Sequence, residues 1–551
     1  MSATLRAESG VAAAEPAEER PLLPKGNVGW TIALVGLLVL TAFLMLYLTR
    51  GLTFTLDEWR VVTERRGPGA PSLLEPHNEH LTVLLLGLYI AMLNLGGLDA
   101  YWFMMLPLVG LQLALGVLLF VIARRRVGAG IALSVAAFAL LCGLAYENFL
   151  IAGQAAQMIS IVAGVAAFAV LDLAPDRRND RLLAGLMAVA LASSGMGIPI
   201  VVGVAVELLL TPAGRKRLWV VAAPFGLYLL WYLAYGVNRA GLDELAVSAL
   251  WAWTAANHAA GAVIGEKQID PGRNLLVLML VVIAYRAWKI DRAGHVRLAA
   301  LSGLLLSFYG LTAISRHDIA LPASSRYLTV GLVFLLLMLV EAARGWRIRR
   351  WVPWVVLVVA WLSFAKADGN ARAFQNARTL LLERSEQLRG SLGAVELLGR
   401  SRVPDDFEIA PNLAPFLMAG GWFDARANLA GNPADSAAEI ARAGPAVRAA
   451  ADETLVRGGG LALGPPLAGV TSCRRPWPGG SGVVPAGGVR VQAGAERLTL
   501  RARRFGEQWF MVGVLPLPPG RSADLHPLRD ALARGYLLQA EGAARVCRLG
   551  G

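Results

Sequence analysis

From Trp30 to Leu48 the chain runs without a charged residue, and that stretch decides the class of fold. About twenty consecutive apolar residues cross a hydrocarbon core of roughly 30 Å as one helix. A chain with several such blocks folds in lipid, where helices satisfy their own backbone groups. Further apolar blocks follow the first, and the whole chain agrees with it: 56% of residues are hydrophobic and 17% charged, against about a quarter charged in soluble domains. The first block is too long for the apolar core of a signal peptide, and no small-residue cleavage site follows it. It is expected to stay as a first helix behind a short, acidic, disordered cytoplasmic tail over residues 1–27.

Orientation follows from lysine and arginine in short loops. The clusters are Arg124 to Arg126, Arg177-Arg178 with Arg181, Arg215 to Arg217, Arg286 to Arg297, and Arg344 to Arg350. All of them face the cytoplasm if the spans run over 28–49, 100–122, 128–146, 155–173, 182–195, 198–212, 218–237, 274–290, 298–315, 327–344 and 351–367. This makes about eleven transmembrane helices in a polytopic α-helical fold, with the N-terminus inside and the C-terminal region outside. The arrangement requires Leu81 to Leu95 to lie in the outer interface rather than cross it; the alternative is that it spans and another segment does not. The net charge of +13 is then accounted for by cytoplasmic loops facing the bilayer, and nucleic acid is not an expected partner.

The outer face receives a large first loop (50–99), short loops near Glu147 and Ser193, a longer loop over 238–274 and a loop over 315–326. Residues 368–458 read as a helical extracytoplasmic connector. Residues 459–551 read as a small β-rich domain, with two-residue alternation in Val489 to Gln492 and Leu498 to Arg501. Three cysteines are too few for a disulfide scaffold. Cys142 sits in an apolar run, whereas Cys473 and Cys547 can pair in an oxidising compartment.

Polar residues at membrane depth are functional candidates, and they collect on the outer face. Asp57-Glu58 follows the first helix by about one turn, where a carboxylate can act as general base on a hydroxyl presented at headgroup level; two solvated acids at a helix exit would look the same. Two of the 6 histidines fall in Glu75-Pro76-His77-Asn78-Glu79-His80. His77, Asn78, Glu79 and His80 can bind a sugar's hydroxyls or order the loop. His77, Glu79 and His80 can instead supply ligands to a divalent metal ion, although their spacing is not that of a helical zinc site, and Asp57 can join Glu79 and His80 in holding it. Arg316, His317, Arg326 and Tyr327 stand in or beside the 315–326 loop. A guanidinium there suits a phosphate through forked hydrogen bonds, or snorkels at a helix end. Arg273 and Lys267 are further phosphate candidates. Glu147 and Gln154 add substrate-binding groups at the same surface, and Ser193 to Pro199 breaks the bundle there.

Taken together, these residues resemble the GT-C superfamily of membrane glycosyltransferases, and its actinobacterial members in particular. The resemblance runs over most of residues 28–367. It consists of the acid pair Asp57-Glu58 after the first helix, the large first loop, a surface helix before the second span, the basic end Arg124 to Arg126 of that span, and Ser325-Arg326-Tyr327. It implies a polyprenyl-phosphate sugar donor, a cell-envelope glycan, lipid or protein acceptor, and Asp57 as general base or metal ligand. An inverting transfer of this kind needs no nucleotide, and no nucleotide-phosphate loop is present in the sequence. A transporter or flippase of lipid-linked or polar substrates would use a similar amphipathic bundle without bond chemistry. Such proteins favour midplane sites and internal repeats, and neither is visible here.

Overall fold

The computed structural model describes residues 28–65, 71–99, 101–237, 245–466, 469–474, 480–513, 516–528 and 534–549. The expected tail over 1–27 lies outside them. The first part is helical: α1 (Val28–Leu48), α2 (Glu58–Glu64), α3 (Val83–Gly96), α4 (Tyr101–Val127), α5 (Ala129–Leu140), α6 (Glu147–Leu150), α7 (Ala155–Leu171) and α8 (Arg177–Leu191). It continues with α9 (Gly197–Leu209), α10 (Pro212–Arg215), α11 (Trp219–Tyr235), α12 (Leu245–Val263), α13 (Ile269–Ala287), α14 (Arg292–Arg316), α15 (Ser325–Ala342) and α16 (Val352–Ala365).

Among the described residues six helical segments are long and apolar enough to cross a membrane; they include α1, α4, α14 and α15. The packing fits a bundle solvated by lipid. α15 forms the central pillar, buried almost without break from Leu328 to Ala342. Peripheral helices turn large apolar side chains outward, such as Phe43 on α1 and Leu233 on α11, which are 69% and 75% exposed. Apolar faces of this extent are tolerated against acyl chains and not against water. The chain is a multi-pass membrane protein.

Helices α8 and α14 each begin on a side-chain cap: Asp176 accepts from the Asn179 amide, and Asp291 from the Gly294 amide. One end of the bundle is tied by buried charge. Arg126 at the end of α4 pairs with Asp172 beyond α7 (2.8 Å) and with Glu341 on α15. Arg297 on α14 pairs with the same Asp172 (3.0 Å) and with Glu207 on α9 (2.6 Å). A buried charge is tolerable only when matched in this way, so the network fixes the register of five helices at one end. Arg316 stands on the same helix as Arg297, roughly 28 Å further along at 1.5 Å per residue, which is close to one hydrocarbon thickness.

One expectation needs correction. Residues 245–263 are not loop but the helix α12, which packs on α13, α14 and α15; Asn257 and His258 interrupt its apolar pattern without breaking the helix. The region after α16 packs on the first loop. Its helices α17 (Asn370–Leu398), α18 (Ala419–Asn428), α19 (Ala437–Arg442) and α20 (Pro445–Arg457) join the first loop. Ser385 Oγ accepts from the Thr53 amide at 3.2 Å, Ala430 accepts from the Leu98 amide at 2.8 Å, and Asp99 accepts from the Asn432 amide at 2.9 Å. Trp59 meets Trp422 edge-on at 5.9 Å. Gly97 takes a positive φ there, and a Cβ on it would stand 2.3 Å from the Ala430 carbonyl.

Strands β1 (Leu461–Gly464), β2 (Val470–Arg474), β3 (Ser481–Val483), β4 (Val489–Ala493), β5 (Thr499–Arg503), β6 (Phe510–Met511), β7 (Ser522–Pro527), β8 (Leu537–Glu541) and β9 (Ala543–Leu549) follow. They make two antiparallel sheets, ordered β1-β7-β4-β9-β2 and β3-β8-β5-β6. Cys473 and Cys547 are bonded across β2 and β9. Asp452 on α20 accepts from the amides of Phe505 and Gly506 just after β5, which seats the strands on the helices.

Candidate functional site

The first loop folds around Glu58. Its side chain is 4% exposed, and its carboxylate accepts from the Thr55 amide (2.7 Å), the Tyr89 hydroxyl (2.6 Å), the Gly153 amide (2.7 Å) and the Tyr101 hydroxyl (3.1 Å). Burial pushes the Glu58 carboxyl above its ordinary range, against the opposing pull of those donors. An acid so fully engaged has little capacity left for a substrate. It staples α2 to α3, α4 and the turn before α7. The acid pair therefore divides: Glu58 holds the loop, and Asp57 is left at the surface of a cavity.

That cavity has a volume of about 920 Å³. Asp57, Asn78, Glu79 and His80 line it from the first loop, Glu147 and Gln154 from the turns before α7, Arg316 from the end of α14, and Arg326 and Tyr327 from the start of α15. His77 also borders it. Aromatic and apolar side chains complete the lining, among them Tyr228 and Tyr232 of α11, Phe308 and Leu311 of α14, and Leu380 and Leu413 of the region after α16. The site thus combines charged groups with an apolar surface.

His77 to His80 form a two-residue hairpin closed by backbone bonds in both directions at 3.1 Å. Asn78 and Glu79 at its tip both have positive φ, 50° and 71°, the pattern of a type I′ turn. Glycine is the usual second residue there, so Glu79 is strained. The tip is tied down on both sides: Asn78 donates to Asp57 at 2.7 Å, and Arg316 reaches Glu79 at 3.4 Å and His80 Nε2 at 3.5 Å. His80 lies close over Gly195, where a Cβ would come within 2.9 Å of the ring. This is the close approach that the Ser193 to Pro199 break permits. Burial, chiefly, brings both histidines down to about 4, with the Arg316 charge adding to the effect at His80.

Among the described residues the non-glycine positions with positive φ are Leu56, Asn78, Glu79 and Phe416, and all four line this cavity. Strain of this kind costs on the order of 1–3 kcal/mol per residue and gathers where function requires it. This observation makes the cavity the candidate site.

No protein-family profile matches the chain, and no curated protein matches it. Among solved structures it is similar to the crystal structure of ArnT from Cupriavidus metallidurans bound to undecaprenyl phosphate. The identity is 15% and the TM-score 0.36, over 72% of this chain and 76% of that one. Similarity at that level decides neither activity nor ligand.

The arginines separate into two groups. Arg316 and Arg326 face the cavity. Arg326 stands in the first turn of α15, with its Nε 3.9 Å from Glu147 and its guanidinium over the Tyr327 ring. The positive end of the helix dipole adds to its charge. Gln157 fixes this turn by donating to the Arg326 carbonyl at 2.9 Å. Arg273 instead pairs with Asp270 at 2.9 Å on the exposed first turn of α13, and neither it nor Lys267 lines the cavity. His317 also falls outside the lining; its Nδ1 lies 3.0 Å from the Ala313 carbonyl. Among the described residues no three His, Cys, Asp or Glu side chains gather closely enough to hold a metal ion, so Asp57, Glu79 and His80 do not make a ready donor set.

Sequence reasoning missed Arg384 and Phe416. Arg384 of α17 is exposed and lines the cavity. It is one of several arginines on a long helix, and nothing in the sequence sets it apart. Phe416 lies between α17 and α18, within a region that carries no motif.

Proposed function

We propose that the protein is a membrane glycosyltransferase that moves a sugar from a polyprenyl-phosphate donor to a cell-envelope glycan, lipid or protein acceptor on the outer face of the membrane. The carrying observation is the pairing, inside one strained cavity, of a half-buried first-loop carboxylate with arginines from α14, α15 and α17, beside apolar side chains. The apolar side chains suit a prenyl chain. Arg316 and Arg326, joined by Arg384, suit the phosphate, because guanidinium groups bind phosphate oxygens in a fork. Fixed charges in a site poor in water also stabilise a leaving anion best.

Asp57 takes the proton from the acceptor hydroxyl. That oxygen forms the new bond to the anomeric carbon, the bond from that carbon to the phosphate oxygen breaks, and polyprenyl phosphate leaves with the electron pair. Attack from the opposite face inverts the anomeric configuration. Asn78 orients the Asp57 carboxylate by its bond of 2.7 Å. The eleven-span arrangement, with the N-terminus inside and the C-terminal region outside, belongs to the same proposal. The Cys473–Cys547 bond supports it, since disulfides persist in oxidising compartments.

The test compares the wild type with Asp57→Asn over a panel of polyprenyl-phosphate sugars, with cell-envelope extract as acceptor, and reads released polyprenyl phosphate. Asparagine keeps size and polarity but cannot take the proton. A loss of about 10²–10⁴-fold is expected with the melting temperature unchanged. Equal release from both proteins removes Asp57 from the chemistry. No release by the wild type from any donor favours a transporter.

A further inference from the structure

Phe416 is an aromatic side chain exposed where burial would be expected. It belongs to the region after the last apolar helix, yet it borders the cavity. Its ring is 45% exposed and its backbone sits at a φ of 74°, a conformation that bulky residues avoid. Packing does not demand this phenylalanine, and glycine would relieve the strain. Its position is nevertheless fixed. The Phe416 amide donates to Glu408 at 3.4 Å, Glu408 and Met418 are bridged in the backbone, and the Arg60 guanidinium lies 5.5 Å from the ring centroid. Arg60 stands on α2, one turn beyond Asp57, which caps that helix.

We infer that Phe416 is the stacking platform of a carbohydrate acceptor subsite, next to Arg60 on the helix that follows Asp57. The inference rests on the transferase reading and adds the acceptor class to it. Three observations carry it. The platform is strained, half-exposed and held at the cavity by the region following the last apolar helix, so it is presented to the cavity rather than packed into a core. An exposed aromatic face offers the C–H face of a pyranose a surface of matching polarity, since the ring face is electron-rich. Arg60 beside the ring, with Arg384 and Asp57 of the same cavity, provides the donors and the acceptor that sugar hydroxyls need. A prenyl chain would gain nothing from that set.

The test uses the full-length protein and measures polyprenyl-phosphate release from its donor against increasing amounts of cell-envelope glycan extract. Phe416→Gly removes the ring and relieves the backbone, so it folds at least as well as the wild type. It should raise the half-saturating glycan concentration roughly three- to tenfold. Release without glycan, and the donor concentration giving half-maximal release, should stay unchanged. Phe416→Trp should restore the wild-type glycan dependence. An unchanged glycan dependence in Phe416→Gly overturns the subsite, as does a raised half-saturating donor concentration, which would make Phe416 part of the lipid path. Absence of release by the wild type from every donor would overturn the transferase reading itself, and the subsite with it.

Discussion

The side-chain amide of Asn78 donates to the carboxylate of Asp57 at 2.7 Å, and it does so from a backbone at a φ of 50°. Asparagine tolerates that conformation better than most residues because its short polar side chain bonds locally. Asn78→Gly keeps the turn and loses the bond to Asp57. The expected outcome is an unchanged or higher melting temperature with about a tenfold loss of transfer, the scale of one charge-assisted hydrogen bond. Equal transfer by Asn78→Gly would mean that Asp57 is held by other means.

Glu58 behaves in the opposite way to its neighbour. Glu58→Gln places an amide donor among the Tyr89, Tyr101, Thr55 and Gly153 donors and leaves buried groups without acceptors. The expected cost is about 2–3 kcal/mol, read as a lower unfolding temperature in detergent. Asp57→Asn should leave that temperature alone. A silent but stable Glu58→Gln would make Glu58 part of the chemistry rather than of the loop.

Gly195 offers a test of the second hairpin histidine. A Cβ there meets the His80 ring at 2.9 Å, so Gly195→Ala should push the ring away from Arg316 and lower transfer. His80→Ala frees that space. The double variant should therefore cost less than the sum of the two single changes, the mark of coupled neighbours. Additive losses would show that the two residues do not press on one another.

The arginines make a contrast. Arg316→Lys and Arg326→Lys keep the charge and lose the fork, and each should raise the half-saturating donor concentration by about tenfold. Arg273→Ala and Lys267→Ala should change nothing, because both residues lie away from the cavity. Donor titrations of the four proteins check both halves of the expectation.

The histidine hairpin gives the pH dependence a sign. In the folded loop His77 and His80 are brought down to about 4, whereas in an unfolded chain they titrate near 6.5. Between those values the unfolded loop binds protons that the folded loop does not. The stabilisation is therefore complete above about pH 6.5 and is lost as pH falls toward 4. Hydrogen exchange across residues 77–80 should accelerate over that window, and His77→Gln with His80→Gln should flatten the response.

Much of this was legible in the chain. Uncharged blocks such as Trp30 to Leu48 mark helices because lipid tolerates nothing else, and each of the eleven segments read as a span contains a helix in the structure. Asp57 and the His77 to His80 group stood out because such residues are scarce in an apolar chain. The rest depended on distance. Nothing local says that Glu58 will be enclosed by two tyrosines and a glycine amide while Asp57 is not. Arg384 and Phe416 reach the cavity only because α17 and α18 pack onto the first loop, a long-range event without a short-range signature. Residues 245–263 were misread because Asn257 and His258 resemble a loop when their packing partners are unseen.

The bond from Thr53 to Ser385 joins residues separated by 332 positions. At about 5–20 residues per second of synthesis, the roof of the cavity arrives many seconds after its floor. The Glu58 staple needs nothing beyond Gly153 and can close early, so a nascent chain holds its base in place before it has a site to serve. A ribosome stalled before Asn370 should therefore display a protease-resistant first loop around Glu58 with its face toward α17 still open. The cavity would then be complete only once the last third of the chain has folded onto the first loop, so the order of synthesis sets when the site exists.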